Sequence, residues 1–241
     1  MAHAHGRETY GPKRLRSELI AAGHCLSLST VKRLRQRLGL RCKQIWPYKA
    51  TTDSQHPLPI AANVLNRQFA CTAPNQAWVA DITTIGTDEG WLYLAAVKDC
   101  FTCKIVGGSM SERMPAELVG KALFMAVQRH QPGPGLIAHS DQGSQYASAD
   151  YRRLLSQFGM RQSMSRKGNC WDNAPMESWF ASLKKEQVYL QRYKTREQAR
   201  TDIFDYIEVF YNRVRRHSKI NNQAPESFEQ QWCLEQKQKA A

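Results

Sequence analysis

The chain lacks any apolar run of the roughly 18 residues that a bilayer-crossing helix needs, which excludes a membrane span of that kind. Its N-terminus carries no apolar signal-peptide core, so the sequence predicts a cytoplasmic protein. Acidic residues are scarce beside basic ones: 21 Asp and Glu against 34 Lys and Arg leave a net charge of +13. Seven cysteines is an odd count, and without a secretory leader it argues against a disulfide framework. The CxxC string Cys100-Phe101-Thr102-Cys103 has no second pair and no His pair at zinc-finger distance. It falls between two predicted strands and reads as a turn. Internal repeats and low-complexity segments are missing as well.

What is present is unevenly spread. Residues 1–50 hold eleven Lys or Arg and two Glu, so most of the surplus charge sits in the first fifth of the chain and points to a polyanionic partner. Tyr10-Gly11-Pro12 opens a helix with Leu15, Leu19 and Ala22 at helical spacing, and Gly23 stops it. A second helix starts near Ser29, shows Val31, Leu34 and Leu38 on one face, and ends at Gly39. Lys32, Arg33, Gln36 and Arg37 lie off that face. Two short helices, a tight turn and a basic second helix predict a helix-turn-helix over residues 1–44, its second helix turned to the major groove of double-stranded DNA. Pro47, Pro57 and Pro59 mark 45–74 as a linker. Asn66-Arg67-Gln68-Phe69, at its end, is placed against the core.

Residues 75–230 read as one α/β core, and 231–241 as a tail that frays from Gln236. The first strand alternates, with Asp81 on the face of Ala77, Val79 and Thr83. Gly86 to Gly90 is a hairpin loop, and Trp91 to Val97 a strand covered on both faces. Lys104 to Met110 gives a third strand. A helix from Pro115 follows, then a strand over Leu136 to Ala138 that delivers Asp141. A helix over Ala149 to Phe158 and a strand over Met160 to Met164 come next. Pro175 then opens the helix that bears Glu177. A long helix from Thr195 buries Ile203, Tyr206, Ile207 and Phe210.

Three acids thus sit at element ends or on a half-buried face. Taken singly, Glu177 suits a helix N-terminus and Asp141 suits turn chemistry. Taken together they suit a metal. A bare carboxylate among apolar neighbours costs free energy, and Mg²⁺ takes oxygen ligands while needing few of them from protein. Three clustered acids repel one another and force their pKa values apart. With two metals such a cluster becomes a clamp for in-line attack at phosphorus. Asp172 reads as the cap of the Glu177 helix, Asp99 as a turn residue and His139 as structural. Arg166, Lys167 and Asn169, on a Gly-containing loop, are candidates for contact with the DNA backbone. Lys184 shares a face with Glu177 and Ala181, roughly 10 Å further along the helix.

Trp78-Val79-Ala80-Asp81-Ile82-Thr83 and His139-Ser140-Asp141-Gln142-Gly143-Ser144-Gln145-Tyr146 carry a resemblance, as does the stretch from Ser163 to Ala174. Glu177 with Lys184, Phe210-Tyr211-Asn212, Arg216-His217-Ser218 and Pro225 extend it. The chain resembles the DDE transposase and retroviral-integrase superfamily. Within it, the likeness is to the second reading frame of bacterial insertion-sequence transposases of the copy-out, paste-in type. The resemblance implies a ribonuclease-H-like integrase catalytic core, a mixed five-stranded sheet flanked by helices, behind a small all-α helix-turn-helix domain. It makes Asp81, Asp141 and Glu177 the catalytic metal ligands for two Mg²⁺ ions, with Mn²⁺ able to substitute. It implies DNA contacts at Lys184 and Arg216, cutting at the element's terminal repeats, and joining of the freed 3′-OH to target DNA. Self-association on DNA follows; the helix this family has before the one at Tyr10 is expected either from the upstream-frame product, a further partner, or from an earlier start of this same chain. The chain departs from the family at Gln142, where a basic residue is common, at Gly108, where Trp is common, and at Asn221-Asn222, where Gly-Tyr is usual. Three other readings stay open at this point: a nuclease of the same fold, a sequence-specific DNA-binding protein, and an inactive transposase remnant.

Overall fold

A computed structural model of the chain describes residues 1–43 and 56–240. Residues 45–55 of the expected linker therefore lie outside the described residues. Strand β1, Ala77–Thr87, sends Trp78 and Ala80 to one side and Ala77, Val79 and Ile85 to the other. The two-residue turn Asp88-Glu89 leads into β2, Gly90–Asp99, which pairs antiparallel with β1. Gly90 sits at φ 106°, a region that costs a glycine little. Strand β3, Ile105–Ser111, completes the meander. Strands β4, Ile137–Ser140, and β5, Arg161–Met164, join in parallel on the other side of β1. The order β3-β2-β1-β4-β5 makes a mixed five-stranded sheet with β1 at its centre. Each expected strand is found within a few residues of its expected ends.

Helices cover both faces. Over Trp78, Ala80, Ala95 and Val97 lie α4, Ala116–His130, the single turn α5, Ser144–Ala147, and α6, Ala149–Gln157. The turn α5 has no periodic signature in the sequence, because one turn is too short to show a stripe. Over Val79, Ile85, Leu92 and Leu94 lie α7, Ala174–Glu186, and α8, Arg196–Asp205. The latter runs on as a π-helical segment, Tyr206–Tyr211. Thr195 caps α8 by accepting from the Gln198 N–H at 3.1 Å. The expected stripe of Ile203, Tyr206, Ile207 and Phe210 is buried. At the C-terminus α9, Pro225–Ala240, runs across the boundary at 231 and into the stretch expected to fray.

Close helix–strand contact makes one glycine obligatory. A Cβ on Gly107 would stand 2.2 Å from the Ala122 carbonyl oxygen and 2.8 Å from the Ala126 Cβ. Gly107→Ala should therefore cost about 1–3 kcal/mol or more, read as a lower thermal midpoint. An unchanged midpoint would mean that α4 can lift off β3 without penalty.

At the N-terminus the described residues form a single turn, α1, Ala2–His5, then α2, Pro12–Ala21, and α3, Leu28–Arg37. The cap of α3 is Ser27, which accepts from the Thr30 N–H at 3.1 Å, two residues earlier than the sequence suggested. Gly23 and Gly39 end the two helices at φ 85° and 64°. The expected stripe of α3 is only partly buried: Val31 is 2% exposed, while Leu34 and Leu38 are 38% and 67% exposed. Two crossing short helices can cover only part of each other's apolar face. These helices pack on the core itself. Tyr10, Leu15 and Val31 share one cluster with Trp179 and Phe210. The Tyr10 hydroxyl donates to the Val214 carbonyl at 3.3 Å and accepts from the Arg216 N–H at 2.9 Å. Beneath them lies a buried ion pair, with Arg215 clasping Glu186 through two contacts of 2.6 Å. The Tyr206 hydroxyl donates to the same carboxylate at 2.8 Å, and Arg14 approaches it at 3.5 Å. Burial pushes the Glu186 pKa up, but Arg215 outweighs it and holds the carboxyl below its usual range.

Candidate active site

The parallel register between β1 and β4 brings two acids together. Val79 pairs with His139. Asp81 and Asp141 each follow that last pair by two residues, Asp81 within β1 and Asp141 just past the end of β4. By alternation along β1, Asp81 lies on the side of Ala77 and Val79, the sheet face that α7 covers. The carboxylate of Asp81 accepts from the Ile82 N–H at 2.7 Å, and that of Asp141 from the Gly143 N–H at 3.0 Å. Glu177 lies in the first turn of α7, exposed, after Pro175 in that same turn. Met176, Trp179, Phe180 and Leu183 seat the helix on the core and hold Glu177 on the open side.

The electrostatics tie the three acids to one another. Burial drives the Asp81 pKa well above the carboxylate range, and the charges of Asp141 and Glu177 drive it further. Burial raises Asp141 too, against the pull of the Gly143 N–H and of His56. Lys184 belongs to the same neighbourhood: burial lowers its pKa, and the charge of Asp81 counters this. Among the described residues no group of three His, Cys, Asp or Glu side chains is arranged to hold an ion as it stands. The chemistry of the donor set nevertheless fits a hard divalent cation, since all three candidates are carboxylates whose mutual repulsion such an ion relieves. A further polar group lies buried nearby. Among the described residues the Tyr146 hydroxyl has no hydrogen-bond partner, and burial and the charge of Asp81 raise its pKa well above that of a free phenol.

The scaffold of the site holds residues that the sequence reading missed or assigned otherwise. Asp172 is not the cap of α7. It is fully buried and accepts from the Arg166 backbone and guanidinium at 2.8–2.9 Å, from Arg67 at 2.7 Å and from Asn63 at 2.9 Å. Hydrogen bonds from Arg166 lead the causes that hold its pKa far below the usual carboxylate range. Asn173 takes the cap position and donates to the Ala80 carbonyl at 3.2 Å, which ties the start of α7 to the residue before Asp81. Lys98, buried on β2, donates to the Pro175 carbonyl at 3.2 Å. His56 meets the Gln142 carbonyl at 2.6 Å. Neither Lys98 nor His56 had a periodic or motif signal of its own. Asp99 behaves as expected, accepting from Phe101, Thr102 and Asn75 in a turn at 2.7–2.9 Å.

His139 is buried between Ser163 and Ser165, at 2.9 and 3.1 Å, a structural role as the sequence suggested. Burial lowers its pKa from 6.5 to about 4. A group that protonates more readily when unfolded withdraws stability as pH falls from 6.5 toward 4. The loss is at most about 1.4 kcal/mol per pH unit. His139→Gln should lose less stability than the parent over that interval in denaturant titrations. Parallel losses in the two proteins would remove His139 as the source.

The expected DNA contacts divide into two groups. Lys32, Arg33, Gln36 and Arg37 are exposed on α3. With Arg35 and Arg41, which the sequence reading left out, Lys32 and Gln36 line a recess of about 500 Å³. Lys167 is exposed, and Arg166 shows half its side chain despite its bond to Asp172. Asn169 is half-buried, with its side-chain oxygen unpartnered. Arg216 is engaged within the chain, donating to Glu18 at 2.7 Å and to the Asn222 carbonyl at 2.9 Å.

The similarities of the chain are consistent with this geometry. Two family models, each described as an integrase core domain, match residues 72–170 and 177–232. An insertion element IS600 uncharacterized 31 kDa protein from Shigella sonnei is 53% identical over 232 residues, covering 96% of this chain and 85% of that protein. The transposase InsF for insertion sequence IS3A of Escherichia coli K12 is 43% identical, covering 95% of this chain and 79% of its own. Among solved structures, the integrase catalytic core domain of HTLV-2 in complex with magnesium superposes with a TM-score of 0.51 at 13% identity, over 66% of this chain and 98% of that one. A simian T-cell lymphotropic virus intasome chain gives 0.57 at 15% identity, over 91% of this chain and 74% of that one. These two likenesses carry the ribonuclease-H-like fold.

Proposed function

The chain belongs to the IS3 family of insertion-sequence transposases, and from that premise we propose that it cuts the ends of an insertion sequence and joins the freed 3′-OH to another DNA phosphodiester. The observation that supports this most is that Asp81 and Asp141 each lie two residues beyond the paired Val79 and His139, with the charges of Asp141 and Glu177 both acting on Asp81. These three carboxylates would hold two Mg²⁺ ions, or Mn²⁺ in their place, which when bound polarise the scissile phosphate and offset charge on the attacking and leaving oxygens.

The protein's own part is positioning. The Ile82 and Gly143 N–H groups each fix one carboxylate oxygen of Asp81 and Asp141, leaving the other oxygen free to turn toward the DNA. Glu177 closes the site from the open side of α7. Lys184, two turns further along, grips the phosphate beside the one attacked. Lys32, Arg33, Gln36 and Arg37 contact the terminal repeat, and Arg166, Lys167 and Asn169 the backbone near the cut. In the first step a water oxygen bonds to phosphorus and the 3′ oxygen leaves as a hydroxyl. In the second that hydroxyl attacks a new phosphodiester. One P–O bond forms for each one broken, so the exchange needs no nucleotide energy and no covalent protein–DNA link. The protein acts in the cytoplasm on double-stranded DNA, as a self-associated complex that bridges two ends, with the upstream-frame product as a further partner.

The test is incubation with a duplex carrying the terminal repeat and Mg²⁺ or Mn²⁺, read for nicked and joined strands. Nicking without joining would make the chain a nuclease. Binding without either product would reduce it to a DNA-binding protein.

A further inference from the structure

One large aromatic side chain faces solvent beside the proposed site. Trp171 is 69% exposed, more than the 58% of Trp91, while Trp78 and Trp179 are 1% exposed. It stands on the 3-10 turn Cys170–Asn173, directly before α7. Its two following neighbours are clamped. Asp172 is fully buried under Arg166, Arg67 and Asn63, and Asn173 is buried and bonded to the Ala80 carbonyl. The indole is thus held out from a fixed turn, not from a loose loop. No ring stacks on it among the described residues. The loop that leads into its turn carries the exposed Arg166, Lys167 and Gly168, so that loop is cationic and polar. The one acid on the turn, Asp172, is buried and paired.

A protein-docking patch requires contiguous apolar surface, and among the described residues of this loop no other large apolar side chain is exposed. A flat ring next to cations suits a different ligand, because every nucleobase has a π-face to stack and a phosphate to pair. A rigid platform also loses little freedom on binding. We propose that Trp171 is a stacking platform for an unpaired base of the DNA end, adjacent to the phosphodiester held at Asp81, Asp141 and Glu177. The inference rests on the transposase reading and adds to it a specific substrate feature: the end is unpaired next to the cut, and Trp171 holds the base that comes free.

The experiment uses the full chain, without divalent metal, and duplexes carrying the terminal repeat with 2-aminopurine beside the cut. One duplex is fully paired and the other is mismatched at its last few pairs. With the wild-type chain the probe in the mismatched duplex is quenched on binding. Trp171→Ala leaves it bright and weakens binding to that duplex about tenfold, while Trp171→Phe keeps most of both effects. Equal behaviour of wild type and Trp171→Ala on the mismatched duplex overturns the platform, even if the wild type cuts and joins. A change in oligomeric state of Trp171→Ala without DNA, by sedimentation, overturns it in favour of a protein contact. A wild-type chain that binds neither duplex and cuts neither with Mg²⁺ overturns the transposase reading and the platform together.

Discussion

Asp81→Asn is expected to abolish strand cutting and joining, by about a thousandfold or more, and at the same time to make the protein more stable. The two effects share one cause. Burial and the charges of Asp141 and Glu177 raise the Asp81 pKa, so the fold keeps a proton that the unfolded chain has already lost. Stability therefore falls as pH climbs from 3.8 through the raised value, and at neutral pH the ionised side chain works against the fold. An amide removes that charge while its oxygen can still accept the Ile82 N–H. Each kcal/mol regained should lift the thermal midpoint by about 2–4 °C. Mg²⁺ should raise the midpoint of the wild type and leave that of Asp81→Asn nearly unmoved. Binding to end-bearing DNA should stay within about twofold, since phosphate contacts elsewhere dominate affinity. Asp141→Asn and Glu177→Gln should share the loss of chemistry. Full cutting by any one of the three, in a gel assay of nicked and joined strands, would falsify the assignment.

The second large effect concerns stability. Arg215→Met removes one partner of an ion pair whose side chains are both 2% exposed. The carboxylate of Glu186 is then left buried beside the Tyr206 hydroxyl, with Arg14 only at 3.5 Å. Such a broken pair costs about 3–5 kcal/mol, enough to lower the thermal midpoint by about 10 °C. Arg215→Met combined with Glu186→Leu should recover much of this, because no unpaired charge stays behind. The same contact sits under α1 and α2. Limited proteolysis should therefore cut within residues 1–43 of the single variant well before the core. A single variant as stable as the parent would show that Arg14 takes over the carboxylate without help.

Much of this was visible beforehand, for identifiable reasons. Alternation in β1 and the stripe of α8 follow from which faces are buried, and both are local properties. Asp81, Asp141 and Glu177 stood out only as a set and through the resemblance, since singly Asp141 suits a turn and Glu177 a helix start. The partners of Asp172 could not be read, because Asn63 and Arg67 reach it across more than a hundred residues, at 2.9 and 2.7 Å. A short-range cap was the simpler local explanation, and tertiary pairing displaced it. Arg216, a DNA contact that the resemblance implies, is paired with Glu18 on α2, a partner that no local pattern announces. Lys98 has no local signal at all, since its meaning lies in a carbonyl on a helix far along the chain. The continuous α9 ran against polar composition, which favours fraying only where no neighbour holds the helix. Here Phe101 stacks on Phe228 and Trp232, and anchors its first half.

The proposed centre draws its acids from β1, from the end of β4 and from the start of α7, which meet only when distant parts of the polypeptide pair. A nascent molecule that has made the β1–β2–β3 meander still carries one acid alone. Non-local pairing of this kind forms late, because loop closure must be met before it is rewarded. Until α7 docks, the proposed centre is incomplete, so a copy that stalls or misfolds before that point would lack the carboxylates on which the proposed cutting depends.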